Sequence, residues 1–186
     1  MKRFIHIPKT AGRSVIRFLR ENKLQVLSPT TKADGTATKK HRTAYKYYCD
    51  VPNEERFCIV RNPYARLVSF YNYSIMQGWI DKDYSWTDFV MNRPHIPPLR
   101  DNQPWRQQID YIMHDGKLYV HKKLKLENIN ESLPRYLQTW KLLPKENVST
   151  TKGLSLTSYY QNSAVIQRVR KDFRQDFKHL HYSRII

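Results

Sequence analysis

A buried strand, a short loop and an amphipathic helix follow one another twice in this chain, and this repeated order constrains the fold more than any other feature. In the first copy, apolar residues at positions 4, 5 and 7 precede a loop at residues 8–14 and a helical apolar pattern at residues 15–19. In the second copy, the apolar run at residues 57–60 precedes a loop and a helical pattern at residues 64–71. Continuous apolar runs are typical of parallel strands buried on both faces. The alternation predicts an α/β fold of three layers, with a central, mostly parallel sheet flanked by helices.

Local signals place further elements along the chain. Asn62 can cap the second helix, and Pro63 suits its first position. Ser85 and Asp88 form a capping box in front of another helix. We also predict a third strand at residues 118–120 and a helix that begins at Pro104. Two later helical stripes are expected, one formed by Leu133, Tyr136, Leu137 and Trp140 and one by Val165, Val169, Phe173 and Phe177.

The chain carries a large excess of positive charge. Its 186 residues, which we expect to form one domain over residues 1–186, include 33 Lys and Arg against 16 Asp and Glu, a net charge of +17. The first 49 residues alone hold 12 of the basic side chains. Such a field attracts nucleic acid, acidic polysaccharide, an anionic membrane surface or a polyphosphorylated cofactor. Charge alone does not choose among these partners.

The cysteines and the apolar segments exclude several classes of protein. Cys49 and Cys58 have a spacing that fits neither a disulfide framework nor a zinc site, so we expect two free or buried thiols and no metal. No apolar run approaches the ~20 residues of a membrane-spanning helix, and the basic N-terminus lacks the apolar region of a signal peptide. The sequence therefore predicts no targeting or transmembrane segment.

The loop at residues 8–14 reads PKTAGRS and carries the clearest chemical signal. A loop between a strand and a helix directs backbone N–H groups and the positive end of the helix dipole at a bound anion. Gly12 lets the backbone approach closely, Lys9 offers a mobile positive charge, and Thr10 and Ser14 offer hydroxyl donors. The loop differs from a Walker A loop, since it has one glycine and its lysine precedes that glycine. We interpret it as a cradle for phosphate or sulfate and disfavour a kinase or nucleoside triphosphatase.

Residues 6–14, HIPKTAGRS, resemble the 5'-phosphosulfate loop of the carbohydrate sulfotransferases that use 3'-phosphoadenosine 5'-phosphosulfate (PAPS), with Arg13 where Thr or Ser is common. Residues 57–71, FCIVRNPYARLVSFY, resemble the 3'-phosphate motif of the same family and fill every fixed position of it. A weaker resemblance covers residues 105–108, 118–120 and 126–128 and the C-terminal helix. The likeness is to the family 2 type, which includes the heparan sulfate 2-O- and 6-O-sulfotransferases, and it implies a P-loop-like fold.

The resemblance implies roles for individual residues. Arg61 and Ser69 match the residues that hold the 3'-phosphate of PAPS, and an arginine fork and a hydroxyl suit that anion. Lys152 and Gly153 match a basic loop that caps the adenine or touches the 3'-phosphate, although a plain surface turn explains them equally well. The 5'-phosphosulfate loop residues that the family pattern assigns to the cofactor are Lys9, Thr10, Ala11, Gly12, Arg13 and Ser14.

Sulfuryl transfer requires positioning, charge stabilisation and deprotonation of the acceptor hydroxyl more than covalent chemistry from the protein. Family analogy places Lys9 at the bridging oxygen, where negative charge grows. For the base we favour His41, because in the heparan sulfate enzymes the base lies between the two cofactor motifs. A solvated loop histidine is the alternative for His41, and His95 is next in line as the base.

The resemblance implies an enzyme that moves the sulfuryl group of PAPS to a hydroxyl acceptor, a carbohydrate by preference, and releases 3'-phosphoadenosine 5'-phosphate (PAP). The animal Golgi members carry an N-terminal membrane anchor, which this sequence does not show. We therefore expect either a soluble cytoplasmic enzyme of bacterial or viral type or a catalytic piece of a longer protein, and we favour the former. Two alternatives stay open. The tyrosines and basic residues could form a platform for single-stranded nucleic acid, although Tyr64 and Tyr71 fall on an apolar helical stripe. An inactive member of the fold could instead bind sulfated polymer.

Overall fold

The computed structural model describes residues 1–24, 26–27, 43–94, 96, 105–141, 143 and 155–186, with the backbone alone for residue 27. The chain divides into two units. The first comprises Met1–Arg61 and Gln108–Asn147, and the second comprises Asn62–Gln107 and Val148–Ile186. All the strands described below belong to the first unit.

The strands of the described residues are β1 (Lys2–Ile5), β2 (Val26–Leu27), β3 (Glu55–Val60), β4 (Met113–His114), β5 (Lys117–Leu118) and β6 (Lys122–Lys125). Four of them form one sheet in the order β2-β1-β3-β6. Every neighbouring pair in this sheet is parallel, with Phe4 opposite Phe57 and Ile59 opposite Leu124. The predicted α/β class and the central parallel sheet are therefore confirmed.

The helices of the described residues are α1 (Gly12–Glu21), α2 (Ala44–Asp50), α3 (Pro63–Met76), α4 (Trp86–Asn92), α5 (Ile129–Leu137), α6 (Leu156–Tyr159), α7 (Ser163–Asp172) and α8 (Arg174–His179). In the first unit, α1 and α5 cover one face of the sheet, where Phe18 and Leu133 are fully buried against Phe4, Phe57 and Ile59. Burying a side chain of this size contributes about 2 kcal/mol each.

A buried ion pair lies on the opposite face of the same sheet. Arg3 on β1 and Glu54, just before β3, form a bidentate pair, and both side chains are almost completely buried. The Arg3 guanidinium also lies over the ring of Tyr47 on α2, 4.6 Å from its centroid. Because adjacent residues of a strand face opposite sides, α2 covers the face that α1 and α5 leave. Helices therefore flank the sheet on both faces within this unit.

The strand predicted at residues 118–120 is confirmed only in part, because Leu118 ends the short strand β5 and residues 119–120 lie outside it. β5 pairs antiparallel with β4 in a hairpin whose turn residues, Asp115 and Gly116, have φ of 46° and 73°. An Asp-Gly pair at positive φ is the typical two-residue hairpin turn. The parallel neighbour of β3 is β6, which reads KKLK and buries Leu124. Lysines protect the edge of a sheet from pairing with other chains, and this charge hides the strand from a search for apolar runs.

The second unit is built from helices. Its longest described helix, α3, begins at Pro63 as predicted, and the side chain of Asn62 accepts a hydrogen bond from the Tyr64 N–H at 2.9 Å. Ser85 is confirmed as the cap of α4, because its Oγ accepts from the Asp88 N–H at 3.0 Å, and the Asp88 carboxylate accepts from the Ser85 hydroxyl. No helix in the described ranges is long and apolar enough to cross a membrane.

The core of this unit contains the four apolar residues of the predicted last helix, all of them buried, although the helix divides at Phe173 into α7 and α8. Tyr64 and Tyr71 lie in the same core with 0% and 9% exposure. Their hydroxyl groups donate to the carbonyl oxygens of Arg184 and Tyr84. These two tyrosines are therefore packing residues, as their helical spacing predicts.

Two helix predictions are wrong. Over residues 105–113 the chain forms a 3-10 turn at Ile109–Tyr111 and then enters β4, so the helix expected after Pro104 does not continue through the described part. The stripe that includes Trp140 ends early, because α5 ends at Leu137 and Gln138 takes the left-handed conformation with φ 56°. Such a residue stops a helix. Trp140 is consequently 97% exposed.

Candidate active site

The loop between β1 and α1 has an unusual backbone. Lys9 and Ala11 both adopt the left-handed conformation, with φ of 66° and 62°, on either side of Thr10. Each costs about 1 kcal/mol or more for a residue with a side chain. Left-handed residues in a turn can direct neighbouring N–H groups toward one side and form a concavity that suits anions. This backbone is compatible with the anion cradle expected from the sequence, which stays a prediction.

The start of α1 adds to this cradle. Its N-cap is Ala11, which has no polar side chain to offer the first turn, whereas Asn62 caps α3. The first intrahelical bond runs from the Val15 N–H to the Ala11 oxygen at 3.1 Å. The first turn contains no acidic residue and includes the exposed Arg13. The helix dipole and this arginine both favour an anion at this end.

The two hydroxyl residues of the loop are both buried. Thr10 is fully buried, and its hydroxyl donates to the Ile7 oxygen at 2.9 Å. Ser14 is 4% exposed on the first turn of α1. Thr10 therefore uses its single hydroxyl proton to hold the turn of the loop, which the sequence alone does not indicate.

Gly12 is explained by a neighbour that sequence reasoning did not connect with it. A Cβ built on Gly12 would lie 1.8 Å from Nε2 and 2.0 Å from Cδ2 of His6. No real Cβ tolerates such distances, so the missing side chain makes room for the imidazole. His6 itself is 4% exposed and stacks on Phe4, with ring centroids 6.0 Å apart. Gly12 therefore has a packing role, and the close approach of its backbone to an anion stays a prediction.

Arg61 follows β3 directly and is held by two partners of the first unit. Its backbone N–H donates to Gln108 Oε1 at 2.9 Å, and Gln108 Nε2 donates to the Arg61 oxygen at 2.8 Å. Its Nη1 donates to the Lys9 oxygen at 3.4 Å. Because β1 and β3 are neighbouring parallel strands, the loops that follow them emerge at the same edge of the sheet. The structure thus brings Lys9 and Arg61, each from a different motif, into contact.

The second unit contains the fixed residues of the 3'-phosphate motif (residues 57–71) that follow Arg61. Arg66 is 2% exposed, and its Nη1 donates to the Arg106 oxygen at 3.0 Å. Ser69 lies in the same helix and is 8% exposed. Gln107 accepts a hydrogen bond from the Gln175 N–H at 2.9 Å. Arg66 therefore makes a structural hydrogen bond, and the sequence predicted no such role for it.

Several predicted residues lie outside the described part of the chain. They are His41, His95, Lys152 and Gly153. The structure also describes Arg61 and Ser69 in different units, so their joint action stays a prediction. The contact between Gln108 and Arg61 was not predicted, because the weak resemblance at residues 105–108 gives no sign that a glutamine 47 positions after Arg61 bonds to it.

Cys58 lies close in sequence to Arg61, but its thiol is shielded from solvent. Cys58 on β3 is fully buried, and burial raises the pKa of its thiol to about 12. Since the thiolate is the reactive form, Cys58 is inert near neutral pH. It acts as a core residue and not as a nucleophile.

Comparison with family models gives a match over residues 3–183 to a model described as Sulfotransferase family. The chain belongs to the sulfotransferase family. Comparison with curated proteins and with solved structures gave no significant match. The family match confirms the resemblance found in residues 6–14 and 57–71 and supports sulfuryl transfer in general as the activity of this sulfotransferase. Members of the family generally use PAPS as donor.

Proposed function

We propose that this sulfotransferase moves the sulfuryl group of PAPS to a hydroxyl of a carbohydrate, with residues 1–186 acting as one catalytic domain. The observation that carries the proposal is the contact between the two motifs, in which Arg61 Nη1 donates to the Lys9 oxygen beside a loop with two left-handed residues. Two cationic segments at one edge of a parallel sheet suit a donor with an anionic group at each end.

The loop residues fit the 5'-phosphosulfate end of the donor. The left-handed residues Lys9 and Ala11 and the start of α1 supply backbone N–H groups, while Gly12 and Thr10 maintain the shape of the loop. Arg13 is exposed and adds positive charge to the same end of the helix. We assign Ser14 to this end on the family pattern.

The 3'-phosphate end is assigned to Arg61 and Ser69. This assignment rests on the motif, together with the fixed backbone of Arg61. An arginine fork is well matched to the oxygens of a phosphate. Lys152 and Gly153 are proposed to cover the adenine or the 3'-phosphate on the family pattern alone.

The donor supplies, when bound, a sulfuryl group that is already activated for transfer. The Lys9 ammonium would stabilise the negative charge that grows on the leaving bisphosphate. His41 would accept the proton of the acceptor hydroxyl and so make its oxygen a better nucleophile. These roles require a protonated amine at residue 9 and a neutral imidazole at residue 41.

An anionic or already sulfated glycan suits the surface of the chain. The net charge is +17, and α1 carries the exposed Arg13, Arg17 and Arg20 within three turns of one helix. Positive surfaces raise the local concentration of anionic substrates and speed their association. The carbohydrate acceptor is therefore proposed from the family resemblance, and only its anionic character is proposed from the charge.

A second candidate function, a non-catalytic protein that binds single-stranded nucleic acid or sulfated polymer, is favoured by one group of residues in the first unit. Tyr45 stacks on His114 with centroids 3.8 Å apart, and Lys117 lies 5.6 Å from the ring centroid of Tyr119. Aromatic rings with nearby cations are typical of single-strand binding surfaces. Two intact cofactor motifs favour the enzyme over this alternative.

The direct test is a transfer assay with radiolabelled PAPS and a panel of acceptors that contains sulfated, desulfated and neutral glycans and a simple phenol. We expect label in at least one glycan together with release of PAP. The His41→Ala variant should lower turnover and leave PAP affinity nearly unchanged. Full activity of His41→Ala would make the base assignment wrong and direct attention to His95. Label on the phenol alone would contradict the carbohydrate acceptor.

A further inference from the structure

The side-chain amide of Gln108 forms hydrogen bonds with both backbone polar groups of Arg61. The amide oxygen accepts from the Arg61 N–H at 2.9 Å, and the amide nitrogen donates to the Arg61 oxygen at 2.8 Å. Gln108 is 0% exposed. Side-chain amides are rarely buried unless their polar atoms are bonded, so these bonds give the residue its reason to be there.

These two hydrogen bonds lie directly beyond the end of strand β3. The ladder between β3 and β6 extends to Val60 opposite Lys125, and β3 ends at Val60. Arg61 is the next residue. The Gln108 amide bonds its backbone N–H and C=O groups, as a neighbouring strand would do if the sheet continued. The backbone of Arg61 is thereby fixed just beyond the sheet, and its Nη1 reaches the Lys9 oxygen at 3.4 Å.

We propose that Gln108 is a positioning residue that holds Arg61 in the orientation needed to bind the 3'-phosphate of the donor. The proposal rests on the proposed function, because it takes Arg61 as the 3'-phosphate ligand. A guanidinium binds phosphate through two directed hydrogen bonds, so an error of about 1 Å in its backbone weakens both of them. Gln108 acts through Arg61 and needs no contact with the donor.

Gln107 provides a matched control. It is the adjacent residue and has the same side chain, but its amide oxygen accepts from the Gln175 N–H of the second unit. Replacing either glutamine by methionine keeps the length of the side chain and removes its hydrogen bonds. Gln107 is half-buried and its variant loses the bond from the Gln175 N–H, whereas Gln108 is fully buried and its variant loses both bonds to Arg61. Gln108→Met is therefore expected to be the less stable of the two, and the affinities are compared at a temperature at which both variants are folded. Only Gln108→Met should change the recognition of a 3'-phosphate.

The test compares the affinity for PAP with that for AMP, which has the 5'-phosphate but not the 3'-phosphate, by calorimetry on the folded full chain. The ratio of the two affinities reports the contribution of the 3'-phosphate. In Gln108→Met we expect this ratio to fall about tenfold, with AMP affinity changed less than about twofold. In Gln107→Met the ratio should equal that of the unmodified protein. With PAPS as substrate, the KM for PAPS should rise more than kcat falls.

A double variant separates positioning from a general loss of structure. Arg61→Ala should lower the ratio by itself, and adding Gln108→Met should lower it no further, because Gln108 acts through the Arg61 side chain. Should Gln108→Met not fold, Gln108→Asn keeps the amide one methylene shorter and is expected to lower the ratio several-fold.

An unchanged ratio in a folded Gln108 variant, or a full additional loss in the Arg61→Ala background, would overturn the positioning role. Failure of the proposed function has a different signature, since the unmodified protein would then show no preference for PAP over AMP.

Discussion

The imidazole of His6 occupies the space beside Gly12 that any side chain at residue 12 would need, with Nε2 1.8 Å from the position of the absent Cβ. His6 follows the last residue of β1, and Gly12 is the first residue of α1. The contact therefore closes the base of the loop that carries Lys9 and the left-handed Ala11. The shape of this loop depends on a pair of residues that are six positions apart and would not be linked by a search for motifs.

Gly12→Ala tests this contact. Helix propensity alone predicts a gain of up to ~1 kcal/mol in the free energy of unfolding, because alanine is the better helix former. The collision with the buried His6 ring predicts a loss of about 1–3 kcal/mol, typical of overpacking. We expect the collision to win, so urea unfolding should show a less stable protein, and PAP affinity should fall as the loop shifts.

The control for this prediction is the same substitution in a His6→Ala background. Removing the ring opens the space, so Gly12→Ala should then cost little or raise stability. Equal destabilisation in both backgrounds would show that the contact with His6 is not the reason for the glycine.

Lys9 has a strained backbone and a side chain for which we propose a catalytic role, and two substitutions separate these contributions. Lys9→Ala keeps a residue with a Cβ at φ 66°, whereas Lys9→Gly relieves the strain and should be about 1 kcal/mol more stable than the alanine variant. Both remove the amine, so both should lower kcat at least ~100-fold if the amine stabilises the leaving group. Measurement of kcat and of thermal unfolding on the two variants decides the matter. Substantial activity in either variant would contradict the catalytic role of the amine.

The hydrogen bond from Tyr136 to Glu55 should contribute to the pH dependence of the stability of the first unit. The hydrogen bond from the Tyr136 hydroxyl, at 2.8 Å, lowers the pKa of Glu55, and the ammonium of Lys2 adds to this effect. A lowered carboxyl pKa stabilises the fold above the unfolded value of about 4.3, and that stabilisation disappears as the pH falls through the folded value. Glu55 is 41% exposed, so solvent screening limits this contribution to the free energy of unfolding to less than about 1 kcal/mol.

Tyr136→Phe removes the hydroxyl and keeps the ring. Urea unfolding measured from about pH 6 down to about pH 3 should give a shallower loss of stability in the variant than in the unmodified protein. Identical slopes for the two proteins would show that the hydrogen bond does not perturb Glu55.

The two cysteines should differ sharply toward a thiol reagent. Cys49 is exposed on α2, whereas Cys58 is fully buried in β3 with the pKa of its thiol raised to about 12. In the native protein at mild alkaline pH, a disulfide reagent should react quickly with Cys49 alone, and a denaturant should make both residues reactive. Cys49→Ser should abolish the fast phase. Two fast thiols in the native state would contradict the burial of β3.

The parts of the fold that could be predicted are those with local signals. The strand-loop-helix units, the caps Asn62 and Ser85 and the apolar stripe through Phe173 follow from residue type and spacing. β6 could not be found in this way, because as an edge strand it shows lysines where a central strand shows apolar residues. The hairpin of β4 and β5, which precedes β6 in the chain, did carry a usable signal in Asp115-Gly116.

The candidate site follows the same division. Lys9, Gly12 and Arg61 stand in contiguous motifs and were predicted from them. The residues that fix them, His6 and Gln108, act through tertiary contacts, one by filling the space beside a glycine and the other by bonding a backbone 47 residues away. Packing and burial create these relationships, and neither leaves a period or a spacing in the sequence.

Calorimetric titration of the protein with PAP, beside ATP and a short single-stranded oligonucleotide in moderate salt, tests the central claim most directly. The proposed function predicts stoichiometric binding of PAP with a clear preference over ATP. No preference for PAP, together with strong oligonucleotide binding that weakens steeply as salt rises, would contradict the sulfuryl-transfer account and support a nucleic-acid-binding protein.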